Sequence, residues 1–79
     1  MIFNNVKNKC VLAVLKILDK KEARYNYLFK ETKVSHTTLQ KVLRGLEERK
    51  FISREEIYKI TKKGKEFLKK LEELKDYLV

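Results

Sequence analysis

Between Phe51 and Thr61 the hydrophobic pattern changes period. On either side, apolar residues recur at helical spacing. Within "FISREEIYKIT" the residues are β-branched and aromatic, and Tyr58 and Ile60 alternate with Lys59. Strict alternation is the signature of a strand. The stretch predicts two short strands, Phe51–Arg54 and Ile57–Ile60, joined by a tight turn at Glu55–Glu56. An otherwise helical chain must therefore carry one small β-hairpin.

The helical parts are read from their spacing. Val11, Leu12, Leu15 and Leu18 form one stripe, and Cys10, Val14 and Ile17 form a second, so a first helix is expected from about Val6 to Leu18. Asn4 or Asn5 is its expected N-cap. From Cys10 to Leu18 only Lys16 is polar. A helix apolar on so many sides is buried on more than one of them. "DKKEAR" interrupts the pattern, with "ARY" as a short extended segment. Asn26 is the expected cap of a second helix over Tyr27–Thr32 that buries Leu28. "KVS" is a tight connection with Val34 pointing inward. Ser35 is the next cap, because its hydroxyl can satisfy a free amide of the first turn.

A third helix is expected over His36–Lys50. Leu39, Val42, Leu43 and Leu46 follow the i, i+3, i+4, i+7 rule and form its buried stripe. The opposite face is then Thr37, Lys41, Arg44 and Glu48, with His36 and Gln40 on one flank and Thr38 and Gly45 on the other. Gly45 either lets another backbone pass close or has no structural reason. Thr61 caps the last helix, Lys62 to about Leu78, whose Phe67, Leu71, Leu74 and Leu78 form a heptad seam.

Length and charge narrow the function. Seventy-nine residues make one domain, 1–79, with a small core. A single cysteine excludes an internal disulfide, and with only one histidine a structural zinc is not expected. No cofactor and no small-molecule ligand are inferred. The start "MIFNNVKNK" does not read as a signal peptide, and "CVLAVL" is too short to cross a bilayer. The expectation is an intracellular, soluble protein in the cytoplasm with no membrane partner. Twenty Lys and Arg against eleven Asp and Glu give a net charge of +9. That excess is spread along the chain and favours a polyanion. A thermophile's Lys/Glu-rich surface would be better balanced.

The order is helix, helix, tight turn, helix, hairpin, helix. Residues 26–50 fit a helix-turn-helix, and 51–60 fit a wing. At this point the chain resembles the winged helix-turn-helix DNA-binding proteins, in the compact form common in archaea, their plasmids and their viruses. "KVSHTTLQKVLRGLEERKFI" is similar to the family's turn, recognition helix and entry to the wing. "YKITKKGKEFL" is similar to its wing exit, where an aromatic residue, an aliphatic residue, Thr and then Gly lead into a long helix. "EAR" before "YNYLF" matches the short strand that often pairs with the wing. The resemblance covers about residues 22–71. It implies a mainly α fold with a small β-hairpin wing, binding to double-stranded DNA, and often a dimer built from the outer helices.

The residues support the same expectation independently. A major groove admits one α-helix. Gln40 can pair with adenine, Arg44 and Lys41 can donate to guanine or phosphate, and Thr37 and Thr38 allow close approach. Ser35 belongs to the same end of the helix. His36 is a secondary candidate, because the helix dipole disfavours a charged imidazolium there. Glu47 and Glu48 should stay outside the groove. Arg54 can reach a phosphate or a narrow minor groove, although the adjacent Glu55 and Glu56 oppose it, and the wing is otherwise structural only. Lys62 and Lys63 begin a helix against its dipole, as a phosphate-facing surface would. Tyr25 and Tyr27, with Lys30 and Lys33, either clamp the DNA backbone or pack in the core.

A homodimer is expected through Val6, Cys10, Val14 and Ile17 of the first helix and Phe67, Leu71, Leu74 and Leu78 of the last, which residues 62–78 form. The functional expectation is a dimeric, sequence-specific transcriptional regulator. The alternatives are a chromatin-like architectural protein that binds DNA without specificity, and a winged helix used as a protein-interaction module. No catalytic residues are found, since no group stands at a spacing that would assist His36.

Overall fold

The computed structural model describes the backbone of residues 6–78 and the side chains of residues 9–74. The element order is α1 (Val6–Lys20), α2 (Tyr25–Thr32), α3 (His36–Glu48), β1 (Ile52–Arg54), β2 (Tyr58–Ile60) and α4 (Lys62–Leu78). The fold is that of a winged helix: among the described residues it has four helices and one antiparallel hairpin.

Local chemistry explains the boundaries. α2 begins two residues before the position expected from Asn26. Its N-cap is Arg24, in extended conformation and without a side-chain cap bond. Tyr25 therefore lies inside the helix, held by an aromatic contact described below instead of by a cap. α2 ends on Lys33, which is left-handed with φ 57° and donates its amide to the Phe29 carbonyl at 3.2 Å. Ser35 caps α3 as its residue type predicts: its Oγ accepts from the Thr38 amide at 3.1 Å and donates to Thr38 Oγ1 at 3.0 Å. α3 closes through two bonds around Lys50, itself left-handed with φ 64°. Lys50 donates to the Glu47 carbonyl and Phe51 to the Leu46 carbonyl, at 3.0 and 2.9 Å. This is the Schellman arrangement, here with lysine where glycine is usual. The Asn4 or Asn5 cap of α1 lies outside the described residues.

In the hairpin, Ile52 pairs with Ile60, Ser53 with Lys59 and Arg54 with Tyr58. Ala23 forms a single further bridge, to Tyr58 of β2. Its amide donates to the Tyr58 carbonyl at 3.0 Å, and the Tyr58 amide donates back at 2.8 Å. The "EAR" segment thus joins the wing as its resemblance implied.

One core holds these elements together. Cys10, Val14, Leu15 and Leu18 of α1 meet Leu28 of α2, the four-residue stripe of α3, Ile52, Tyr58 and Leu68 of α4. Leu15, Leu28 and Leu39 are fully enclosed, and each such leucine stabilises the fold by about 1.5–3 kcal/mol relative to exposure. The expected subunit contact at α1 needs correction here. Cys10 and Val14 are 2% and 0% exposed: α2, α3, β2 and α4 of the same chain surround α1, so a partner cannot reach them. Ile17, Phe67 and Leu71 are only partly buried and also pack on the chain's own core. The Phe67 ring stacks on Phe51 at 4.2 Å. Leu74 remains 46% exposed. The side chains of Val6 and Leu78 lie outside the described residues.

Candidate nucleic-acid interface

Because Leu39, Val42, Leu43 and Leu46 turn inward, the outward face of α3 is set by helix geometry alone. It carries Thr37, Gln40, Lys41 and Arg44, all exposed. Among the described residues the only ion pair is Lys16–Glu72, on other helices and at 4.0 Å. The charges of Lys41 and Arg44 are therefore not neutralised by a carboxylate of the described chain. Thr38 is half-buried and its hydroxyl is already engaged with Ser35. Ser35 likewise acts first as a cap.

The two ends of α3 differ. At its start, the His36 ring lies face to face with Phe29, centroids 3.8 Å apart and planes within 8°. The Tyr25 hydroxyl is 2.9 Å from His36 Nδ1. These three aromatic residues join α2 to the first residue of α3. They were not read as a unit from the sequence, where the i, i+4 spacing of Tyr25 and Phe29 was the available signal. At the other end, a cleft of about 840 Å³ separates α3 from the wing. Gln40, Arg44, Arg54 and Tyr58 line it together with Glu47, Glu48, Glu55 and Glu56. Arg54 lies over the Tyr58 ring, 5.8 Å from its centroid. Burial raises the Tyr58 hydroxyl above its ordinary pKa, with Arg54 acting in the opposite sense. Burial likewise raises the Cys10 thiol, so it stays protonated and unreactive near neutral pH.

Lys62 and Lys63 are exposed at the start of α4, and the Lys63 ammonium is 5.3 Å from the Phe51 ring. Thr61 sets this junction. Its one hydroxyl hydrogen is shared between the carbonyls of Lys50 and Phe51, whose oxygens lie at 2.7 and 2.9 Å, and its oxygen accepts from the Gly64 amide at 3.0 Å. Thr61 was expected only as a cap; the tie to the end of α3 is additional. Gly45 has open space around a β-carbon position, so no passing backbone explains it. Tyr25 is half-buried in the aromatic group, whereas Tyr27 is 52% exposed. A second cleft, of about 950 Å³, lies between α1, α2 and α4, away from the outward face of α3. Its walls hold four cationic and four anionic side chains (Lys16, Lys20, Lys21 and Arg24; Asp19, Glu22, Glu31 and Glu72). Among the described residues, no group of three or more His, Cys, Asp or Glu is arranged to hold a metal ion, and no helix is long and apolar enough to cross a membrane.

The family model for winged helix-turn-helix proteins matches residues 6–78. The chain belongs to this family. A winged helix-turn-helix is a DNA-binding fold, and here α2 and α3 form the helix-turn-helix while the β1–β2 hairpin forms the wing. No curated protein and no solved structure matched the chain.

Proposed function

We propose that the protein is a sequence-specific regulator of transcription that places α3 in the major groove of double-stranded DNA. The observation that carries this reading is the outward face of α3. Gln40 and Arg44 are one turn apart and exposed, and both side chains suit bidentate contact with purine edges. Lys41 and Thr37 flank them. The four glutamates around the wing cleft would repel phosphate, so α3 enters the groove as far as Arg44 and its last turn, with Glu47 and Glu48, stays outside. Arg54, Lys62 and Lys63 serve the phosphate backbone. The protein works without chemistry and without a cofactor, by occupying its site inside the cell, be it an archaeal or a virus-infected one.

The reading includes a homodimer through the outer helices. Leu74 supports it, since it and Tyr27 are the large apolar side chains most exposed among the described residues. Leu71 and Phe67 on the same row of α4, and Ile17 of α1, complete the contact only in part, because they already pack on the chain's own core. A two-fold pair would present two α3 helices at about 34 Å, one turn of DNA.

Selection of bound duplexes from a random pool tests the proposal. A single enriched motif whose affinity falls steeply with salt is the expected result. Binding without enrichment would replace specific regulation with an architectural role. No affinity at moderate salt would leave a protein-interaction module.

A further inference from the structure

The Tyr25–Phe29–His36 group does more than join two helices. Phe29 covers one face of the imidazole at 3.8 Å, and the Tyr25 ring lies within 9° of parallel to it, centroids 5.7 Å apart. The Tyr25 hydroxyl reaches Nδ1 at 2.9 Å. The hydroxyl can donate to a bare Nδ1 or accept from Nδ1–H, and the phenolic O–H is the stronger partner as a donor. The hydrogen bond made by one imidazole nitrogen decides which nitrogen carries the proton. With Nδ1 accepting, a neutral His36 must hold its hydrogen on Nε2.

His36 is exposed. It stands one turn before Gln40 and two before Arg44, on the same row of α3. We infer that Tyr25 is a positioning residue: it fixes the His36 tautomer so that Nε2–H extends the Gln40–Arg44 row as a hydrogen-bond donor to an acceptor atom of bound DNA. Phe29 holds the ring in plane. The inference rests on the DNA-binding reading above, and it adds a contact and the device that orients it.

The test has two arms. In the free protein, two-dimensional nitrogen–proton spectra of the imidazole at mildly alkaline pH report the tautomer. The Nε2–H form is expected in the wild type, and a shift toward a mixture in Tyr25→Phe. A wild type with its hydrogen on Nδ1 overturns the inference, whether or not DNA binds. In the second arm, the duplex that the wild type selects from a random pool is the probe. Tyr25→Phe should weaken binding by about threefold to tenfold, the worth of one hydrogen bond. It should have no further effect in a His36→Ala background. A merely structural Tyr25 would give the same loss in both backgrounds, and no loss in either would remove the contact. Replacing single phosphates by methylphosphonate, or purines by their 7-deaza analogues, shows which acceptor His36 meets. If the wild type selects no duplex, the DNA reading falls and the contact with it, while the spectra still decide the tautomer.

Discussion

The Phe51 carbonyl oxygen occupies the space that a β-carbon would need at Gly64. The wing's entry and the first turn of α4 are packed backbone on backbone at this point, and the Ile60 side chain closes on the same position from another side. The second glycine, Gly45, faces open space on α3.

The two glycines should therefore respond oppositely to alanine. Gly64→Ala forces backbone apart and is expected to destabilise by about 1–3 kcal/mol. Gly45→Ala removes a flexible residue from a helix interior and is expected to stabilise by about 0.5–1 kcal/mol. Chemical denaturation of both variants checks this, and equal effects would show that the close approach at Gly64 is not rigid.

Two hydroxyl caps make a graded pair. Ser35→Ala removes one capping bond and should cost about 0.5–2 kcal/mol. Thr61→Ala removes a cap and also the tie to the carbonyls of Lys50 and Phe51, so its cost should be the larger of the two. A smaller loss at Thr61 in thermal melts would mean that the junction between α3 and α4 is held by Gly64 packing alone.

The two raised pKa values give a pH dependence with a definite sign. Burial holds the Cys10 thiol and the Tyr58 hydroxyl protonated in the folded chain. The unfolded chain releases these protons first as pH rises, so it binds fewer protons than the folded chain, and stability falls with pH. The contribution is complete below pH 9.0, the ordinary value for the thiol, and is lost above it. Cys10→Ala and Tyr58→Phe should each flatten the alkaline limb of a stability–pH curve. A curve unchanged by both would place the effect elsewhere.

Leu74→Glu tests the dimer with little risk to the fold, because that side chain is 46% exposed. Sedimentation should show monomers with an unaltered circular dichroism spectrum. Leu71→Glu strikes the chain's own core as well, and should lower stability. A dimeric Leu74→Glu protein would move the contact off α4.

The fold was legible because its signals are local. The stripe of α3, the alternation around Lys59 and the Ser35 and Thr61 caps each act within a few residues. What sequence alone did not show depends on distant partners. Cys10 and Val14 read as surplus apolar surface, because nothing in the α1 sequence says that four other elements will enclose it. Asn26 read as a cap because its residue type is favoured there, but the aromatic contacts of Tyr25 draw the helix start two residues earlier. The face of α3 was legible for the same reason as its stripe: one helical period determines both. His36 lay at its margin, and the ring contacts that engage it come from Phe29 and Tyr25, seven and eleven residues away.

Lys41 and Arg44 separate attraction from reading. Lys41→Ala should reduce the slope of log affinity against log salt by about 1, with little change in preference among duplexes. Arg44→Ala, measured on the selected duplex and on single-base variants of it, is the most direct test of the central claim. The expected result is a loss of about 1–3 kcal/mol on the selected duplex, with discrimination relaxed at one base pair. An equal loss on every duplex, selected or not, would contradict the claim that this face of α3 reads sequence.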